Sequence, residues 1–143
     1  MIYIGCDHGG YPLKLKLIEF LKERGLEFTD LGCGGETVDY PDIAKKVCKE
    51  VLSNAGSKGL LVCTSGIGIS MTANRFKGIR AALCGDYFSA KYSRLHNDAN
   101  VLCLGNKTIG EGMAIEVLDV FLNTEFEGGR HAVRVGKIEI QEE

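Results

Sequence analysis

The sequence predicts an α/β fold: a single-domain, doubly wound sheet of five parallel strands with helices on both faces. Three observations carry this. Short β-branched runs alternate with stretches of helical period along the whole chain. The segments between the runs are long enough for crossovers, and right-handed crossovers place helices on both faces. The run Gly59-Leu60-Leu61-Val62-Cys63 is apolar throughout, as expected of a strand covered on both sides. The arrangement is Rossmann-like.

Taken in order, Ile2-Tyr3-Ile4 is the first strand and opens into Gly5-Cys6-Asp7-His8-Gly9-Gly10. Pro12 suits the first turn of a helix. Leu13, Leu17, Phe20 and Leu21 recur at helical spacing, Lys14, Lys16, Lys22 and Glu23 take the other face, and Gly25 ends the helix. Glu27 to Leu31 is a second strand, and Gly32 to Val38 a polar, Gly-rich loop. Pro41 starts the second helix, with Ala44, Val47, Cys48, Val51 and Leu52 on its buried face. The third strand, Gly59 to Cys63, runs through Thr64-Ser65-Gly66-Ile67-Gly68 into a helix from Ser70 to Phe76. Ile79 to Cys84 is the fourth strand, Tyr87 to Leu95 a helix, and Val101 to Leu104 the fifth strand. Met113, Ala114, Val117, Leu118, Phe121 and Leu122 mark the last long helix. Residues 127–143 read as a polar, Gly-rich tail carrying Arg130, His131, Arg134 and Lys137. No linker or repeat interrupts the chain, so 1–143 is one domain.

Composition narrows the function. A chain of 143 residues with 45% hydrophobic and 25% charged residues builds an ordinary globular core without disulfides or structural metal. A net charge of −2 removes the general positive field of a non-specific nucleic-acid binder. The longest apolar run, about five residues, is far short of the ~20 that span a bilayer. The opening MIYIGCDHGG has no basic region followed by a long apolar one, which reads as a cytoplasmic protein. The six cysteines are widely spread with no C-x-x-C pair, as expected of free thiols in a reducing compartment. No His/Cys cluster has zinc-ligand spacing, so no metal is expected.

Open α/β sheets bind ligands beyond the carboxyl ends of their strands. That rule points to Asp7-His8-Gly9-Gly10, to Cys63 through Gly68, and, on this reading, to His96-Asn97-Asp98 before the fifth strand. Cys63 ends an apolar strand just ahead of a Gly-rich turn into a helix. A thiol there is activated by the helix start, and the same N–H groups can stabilise an oxyanion. The alternative is a core cysteine like Cys48 or Cys84. A cysteine phosphatase loop would need arginine at position 69, which is Ile69. Gly66-x-Gly68 alone is weak evidence for a dinucleotide site. His8 beside Asp7 is a pocket histidine or a loop one. His96-Asn97-Asp98 is polar chemistry or a helix end with Asx-turn residues. Tyr40 lines the pocket or packs. Arg130 and Arg134, four apart, clamp a phosphate or form a solvated face with Glu127.

Six segments in order resemble the ribose-5-phosphate isomerase B family, which includes the galactose-6-phosphate isomerase subunits: GCDHGG at 5–10, DYP at 39–41, CTSGIGIS at 63–70, GIRAAL at 78–83, SRLHNDANVLCLG at 93–105 and FEGGRHAVRVGKI at 126–138. The resemblance covers nearly the whole chain. It implies a cofactor-free aldose–ketose isomerase acting on a phosphorylated sugar, interconverting ribose 5-phosphate and ribulose 5-phosphate. It implies a homodimer, in some members a pair of dimers, with active sites between subunits. By family position Cys63 is the base moving a proton between C1 and C2, Ser65 carries a relay hydroxyl, and His96 assists ring opening. Asp7 and Tyr40 meet sugar hydroxyls or the ring oxygen, and Asn97 faces the enediolate. His8, Arg130 and Arg134 meet the phosphate, which gives the 127–143 tail a part in phosphate binding and the dimer. The turn from Gly66 through Gly68 to Ser70 supplies N–H groups.

Three residues depart from the family pattern. Thr64 stands for a glycine, Ser65 for a threonine, and Lys107 for an arginine after the fifth strand, which keeps the charge and loses the bidentate fork. The competing readings are an isomerase of a six-carbon sugar phosphate, such as allose or galactose 6-phosphate, a non-catalytic sugar-phosphate binding module, and a flavodoxin-like electron carrier. Asp7 argues against the last by repelling a phosphate after strand one. Cys63 and His96 together argue against the binding module.

Overall fold

The computed structural model describes residues 1–140, and the last three residues of the predicted tail lie outside them. Five strands form one parallel sheet: β1 Ile2–Cys6, β2 Phe28–Asp30, β3 Lys58–Cys63, β4 Ala81–Leu83 and β5 Val101–Gly105. Their order is β2-β1-β3-β5-β4, so the chain winds outward in both directions from β1 and β3. The helices are α1 Tyr11–Glu23, α2 Tyr40–Ser53, α3 Ile67–Ala73, α4 Tyr87–Leu95, α5 Glu111–Asn123 and α6 Arg130–Val135. A single 3-10 turn, His8–Gly10, precedes α1.

Strand alternation builds two cores. Ile2, Ile4, Leu60, Val62, Leu102 and Leu104 face α1, α4 and α5, while Tyr3, Leu61, Val101 and Cys103 face α2 and α3. The expected two-faced sheet is present, and the central strands are apolar and buried apart from Lys58 at the start of β3, because both faces are covered.

The differences from expectation lie at the margins. β2 and β4 are three residues each, shorter than the runs 27–31 and 79–84. Both are edge strands, and short edges limit unwanted strand pairing. α3 stops at Ala73, because Asn74 turns aside to exchange side-chain bonds with the Ala81 N–H and carbonyl. Leu52, expected on the buried face of α2, is exposed; its Cδ2 lies over Gly78, whose φ of +88° favours glycine. Lys14, expected on the solvent face, is 1% exposed. Its Nζ donates to both Asp30 oxygens at 2.8 and 3.0 Å and to the Cys33 carbonyl at 2.6 Å, so the charge is buried with its partners. The tail is not wholly irregular, since α6 forms within it and buries His131.

Candidate active site

Cys63 ends β3 and is buried, its sulfur accepting the Gly66 N–H at 3.1 Å. That donor sets a partial positive charge against the thiol. Gly66 has φ +78°, and a Cβ there would sit 2.5 Å from Leu83 Cδ1 and 2.9 Å from the Leu104 carbonyl carbon. The turn therefore demands glycine twice over, by conformation and by space. The Cys63 and Thr64 carbonyls accept the N–H groups of Asn106 and Lys107 at 2.8 and 3.0 Å, which ties this loop to the one after β5.

The start of α3 supplies donors. Ser65 Oγ accepts the Ile67 N–H at 3.2 Å, and Gly66 O accepts the Ser70 N–H at 3.2 Å. The N–H groups of Gly68 and Ile69 have no partner among the described residues, as helix geometry dictates for a first turn. Ser70 was expected to offer its N–H to substrate; the helix uses it instead.

Asp7 is buried, with Oδ1 accepting the Gly10 N–H at 3.1 Å. The Tyr40 ring lies against Gly68, and Thr64 Oγ1 lies over Gly9. Asp7, Tyr40, Cys63, Thr64, Ser65 and Gly68 thus line one cleft of about 480 Å³, with the apolar Ile67 and Met71 at its side. His8, next to Asp7 in the chain, is exposed, its Nδ1 accepting the Val38 N–H at 3.4 Å, and Lys107 is exposed on the loop after β5; neither lines the cleft. Burial pushes the thiols of Cys6 and Cys48 up to about 12 and raises those of Cys84 and Cys103. Cys63 is the cysteine that opens onto a cleft with polar groups around it.

The other predicted residues form a second group. His96 caps the carboxyl end of α4, and its ring stacks on His131 at 4.1 Å and 9°. Tyr92 meets His96 edge-on at 4.8 Å, and Glu127 Oε2 is 3.7 Å from its Nε2. Burial and the adjacent His96 push the His131 imidazole below its ordinary value, and its Nε2 has no hydrogen-bond partner among the described residues. Arg130 and Arg134 are exposed on α6, and Asn97 is exposed next to His96. His96, Glu127 and His131 bring three possible metal-ligand atoms within 4.8 Å of one another. Parallel stacked rings do not aim two lone pairs at one ion, so this arrangement is not a formed metal centre.

The two groups lie at opposite ends of the sheet. β3 and β5 run parallel, with Gly59 opposite Val101 and Cys63 opposite Gly105. His96 precedes Val101, so it stands beyond the amino ends, at least four residue steps, about 13 Å, from the thiol. This corrects the expectation that residues 96–98 share the carboxyl-end cleft: a segment entering a parallel strand is at the other end from one leaving it. Sequence reasoning also gave no role to Asn106, whose Oδ1 caps the Leu13 N–H at 2.9 Å, or to the stacking of His131 on His96 across 35 positions. Neither pairing has a local signal.

The ribose/galactose isomerase family model matches residues 2–138. Ribose-5-phosphate isomerase B of Escherichia coli strain K12 is 44% identical over 138 residues, covering 96% of this chain and 93% of its own. The structure of Clostridium thermocellum ribose-5-phosphate isomerase B superposes with a TM-score of 0.93 at 51% identity, covering 96% of this chain and 93% of that one. That of the Mycoplasma genitalium enzyme with bound ribulose-5-phosphate superposes at 0.91, with 40% identity and coverage of 96% and 92%.

Proposed function

The chain belongs to the ribose/galactose isomerase family, and from that premise we propose that it interconverts ribose 5-phosphate and ribulose 5-phosphate through an enediolate, with Cys63 as the base. The observation that carries this is the buried Cys63 sulfur lining the cleft with Asp7, Thr64 and Ser65, held by the Gly66 N–H beside two unused N–H donors. A relative of the same fold binds ribulose-5-phosphate.

The chemistry follows from the geometry. His96 takes the O1 proton and returns one to the ring oxygen, opening the furanose. The Cys63 thiolate removes the proton from C2, and the Gly68 and Ile69 N–H groups receive the charge that develops on oxygen. Ser65 Oγ, whose own proton is free to be donated, carries the proton from O2 to O1. Cys63 then delivers its proton to C1, which completes the ketose. Asp7, Tyr40 and Asn97 hold sugar oxygens. His8, Lys107, Arg130 and Arg134 grip the phosphate, whose remote binding keeps C1 and C2 in register. Every step is carried by protein groups, so the reaction needs no cofactor.

One chain cannot perform this sequence, because His96 and Cys63 stand at opposite ends of the sheet. The site is therefore composite, with His96, Asn97, Arg130 and Arg134 of one protomer facing Cys63 of its partner in a homodimer. Exposed apolar side chains support a second copy: Met71 beside the cleft is 65% exposed, Phe88 on α4 69% and Val133 on α6 63%. No helix among the described residues is long and apolar enough to cross a membrane. All six cysteines are free thiols, which suits the reducing cytoplasm, where phosphorylated sugars are also retained.

Incubation with ribose 5-phosphate and detection of ribulose 5-phosphate tests the proposal, with allose and galactose 6-phosphate run in parallel because the family includes galactose isomerases. Turnover of a six-carbon phosphate alone would move the substrate, and turnover of none would refute the reading.

A further inference from the structure

We infer that Asp98 is a positioning residue, which locks the turn carrying His96 and Asn97 in register with α6. The inference rests on the roles proposed above for His96, Arg130 and Arg134. Asp98 has φ +48° and is the one non-glycine residue with positive φ among those described. Such a conformation persists only where the surroundings over-determine it. Here two arginines do so.

Arg80 donates from Nε to the Asp98 carbonyl at 2.8 Å and from Nη2 to Oδ2 at 3.3 Å. Arg94 donates from Nη1 to Asp98 Oδ1 and to the Ala99 carbonyl, both at 2.8 Å. The left-handed turn lets the Ala99 N–H reach back to the Ser93 carbonyl at 2.9 Å. Asn100 locks the exit, its Oδ1 accepting the Arg80 N–H and its Nδ2 donating to the Gly78 carbonyl. Glycine would take this backbone without strain, but it has no carboxylate for the arginines. The aspartate is explained by the clamp rather than by the turn.

The clamp reaches further than the turn. The buried Arg94 also donates from Nε to the Thr124 carbonyl at 3.1 Å, at the end of α5, and the Glu127 N–H bonds to the Leu95 carbonyl at 3.0 Å. One guanidinium therefore fixes both the histidine-bearing turn and the segment leading to Arg130 and Arg134. The ring-opening group and the phosphate grip are held at a set spacing, and Asp98 touches neither substrate nor the reacting atoms.

Two variants separate the roles. Asp98→Gly relieves the backbone and removes the carboxylate; Asp98→Asn keeps the shape and removes the charge. Both are to be compared with wild type by thermal melting, by kcat on ribose 5-phosphate, by the alkylation rate of Cys63, and by carbon NMR of labelled histidine. With three histidines in the chain, the signals of His8, His96 and His131 are separable. Asp98→Gly is expected to melt several degrees below wild type, because the buried Arg94 loses its carboxylate, yet to keep the Cys63 alkylation rate and to shift the His96 and His131 signals but not that of His8. Its kcat falls on the order of tenfold to a hundredfold, the cost of misplacing a reacting group by about 1 Å. Should Asp98→Gly fail to fold, Asp98→Asn carries the same readouts. Unmoved His96 and His131 signals would overturn the clamp whatever the activity, as would a kcat within about twofold of wild type. A wild-type protein inactive on ribose 5-phosphate would instead overturn the proposed function, leaving the histidine spectrum to decide the clamp.

Discussion

Gly68→Ala separates catalytic geometry from stability. A Cβ at position 68 would lie 2.6 Å from Tyr40 Cε1 and Cζ and 2.9 Å from its hydroxyl. The backbone there is helical, so alanine fits it and gains up to ~1 kcal/mol of helix propensity, less in a first turn. The Tyr40 side chain is 39% exposed and can swing outward with little loss of packing. Net stability should change by less than about 1 kcal/mol, a shift of at most a few degrees in Tm. The displaced hydroxyl loses its bond to the sugar, worth about 0.5–1.5 kcal/mol, so kcat/KM should fall roughly twofold to twelvefold. Tyr40→Phe removes the same bond and should lose a similar factor. The double variant should lose no more than either, because both changes remove one interaction. The assay is kcat/KM on ribose 5-phosphate for the four proteins, with melting curves alongside. Multiplying losses in the double variant, or a Gly68→Ala protein that melts far below wild type, would refute the reasoning.

Three further outcomes are expected. Cys63→Ala should abolish nearly all turnover while Cys48→Ala, in the core, costs stability and keeps kcat; retention of more than about a tenth of wild-type kcat in Cys63→Ala would assign the base elsewhere. Lys14→Met should destabilise by about 2–4 kcal/mol, read by urea unfolding, because it strands the Cys33 carbonyl and an Asp30 carboxylate only partly open to water; an unchanged midpoint would mean that water replaces the ammonium freely. His131 is held below its ordinary 6.5, so the folded state resists its protonation. Stability is then full above about pH 6.5 and declines as pH falls through that value. His131→Phe should flatten this part of the Tm–pH curve, and an unchanged slope would remove His131 as its cause.

The central strands and the Cys63 half of the site were legible because their signals are local. Gly59 to Cys63 is apolar at every position, and the glycines after it can only be a tight turn. The edges of the sheet were less legible: Ile79 and Cys84 are as buried as strand residues, yet the ladder β4 makes with β5 ends at Ala81 and Leu83. Lys14 sits at a position that charge alone assigns to solvent, and only the Asp30 carboxylate and Cys33 carbonyl, at and just beyond the carboxyl end of β2, make burial tolerable. The helix in the tail was hidden by flanking glycines. The strand-end rule misplaced the 96–98 segment for a topological reason, since its position before β5 puts it at the amino end; the resemblance, which sets active sites between subunits, did not depend on that rule. The left-handed backbone of Asp98 has no signature in sequence, because asparagine, aspartate and glycine all occupy such turns.

The most direct test of the account is subunit complementation. Cys63→Ala and His96→Ala proteins, each inactive alone, are mixed under conditions that exchange protomers. If each site joins Cys63 of one protomer to His96 of its partner, every mixed dimer carries one intact site and one doubly damaged site. At full exchange half the dimers are mixed, so activity on ribose 5-phosphate should rise from near zero to about a quarter of wild type. No recovery, with exchange demonstrated by differently tagged chains, would contradict the composite site and with it the proposed mechanism.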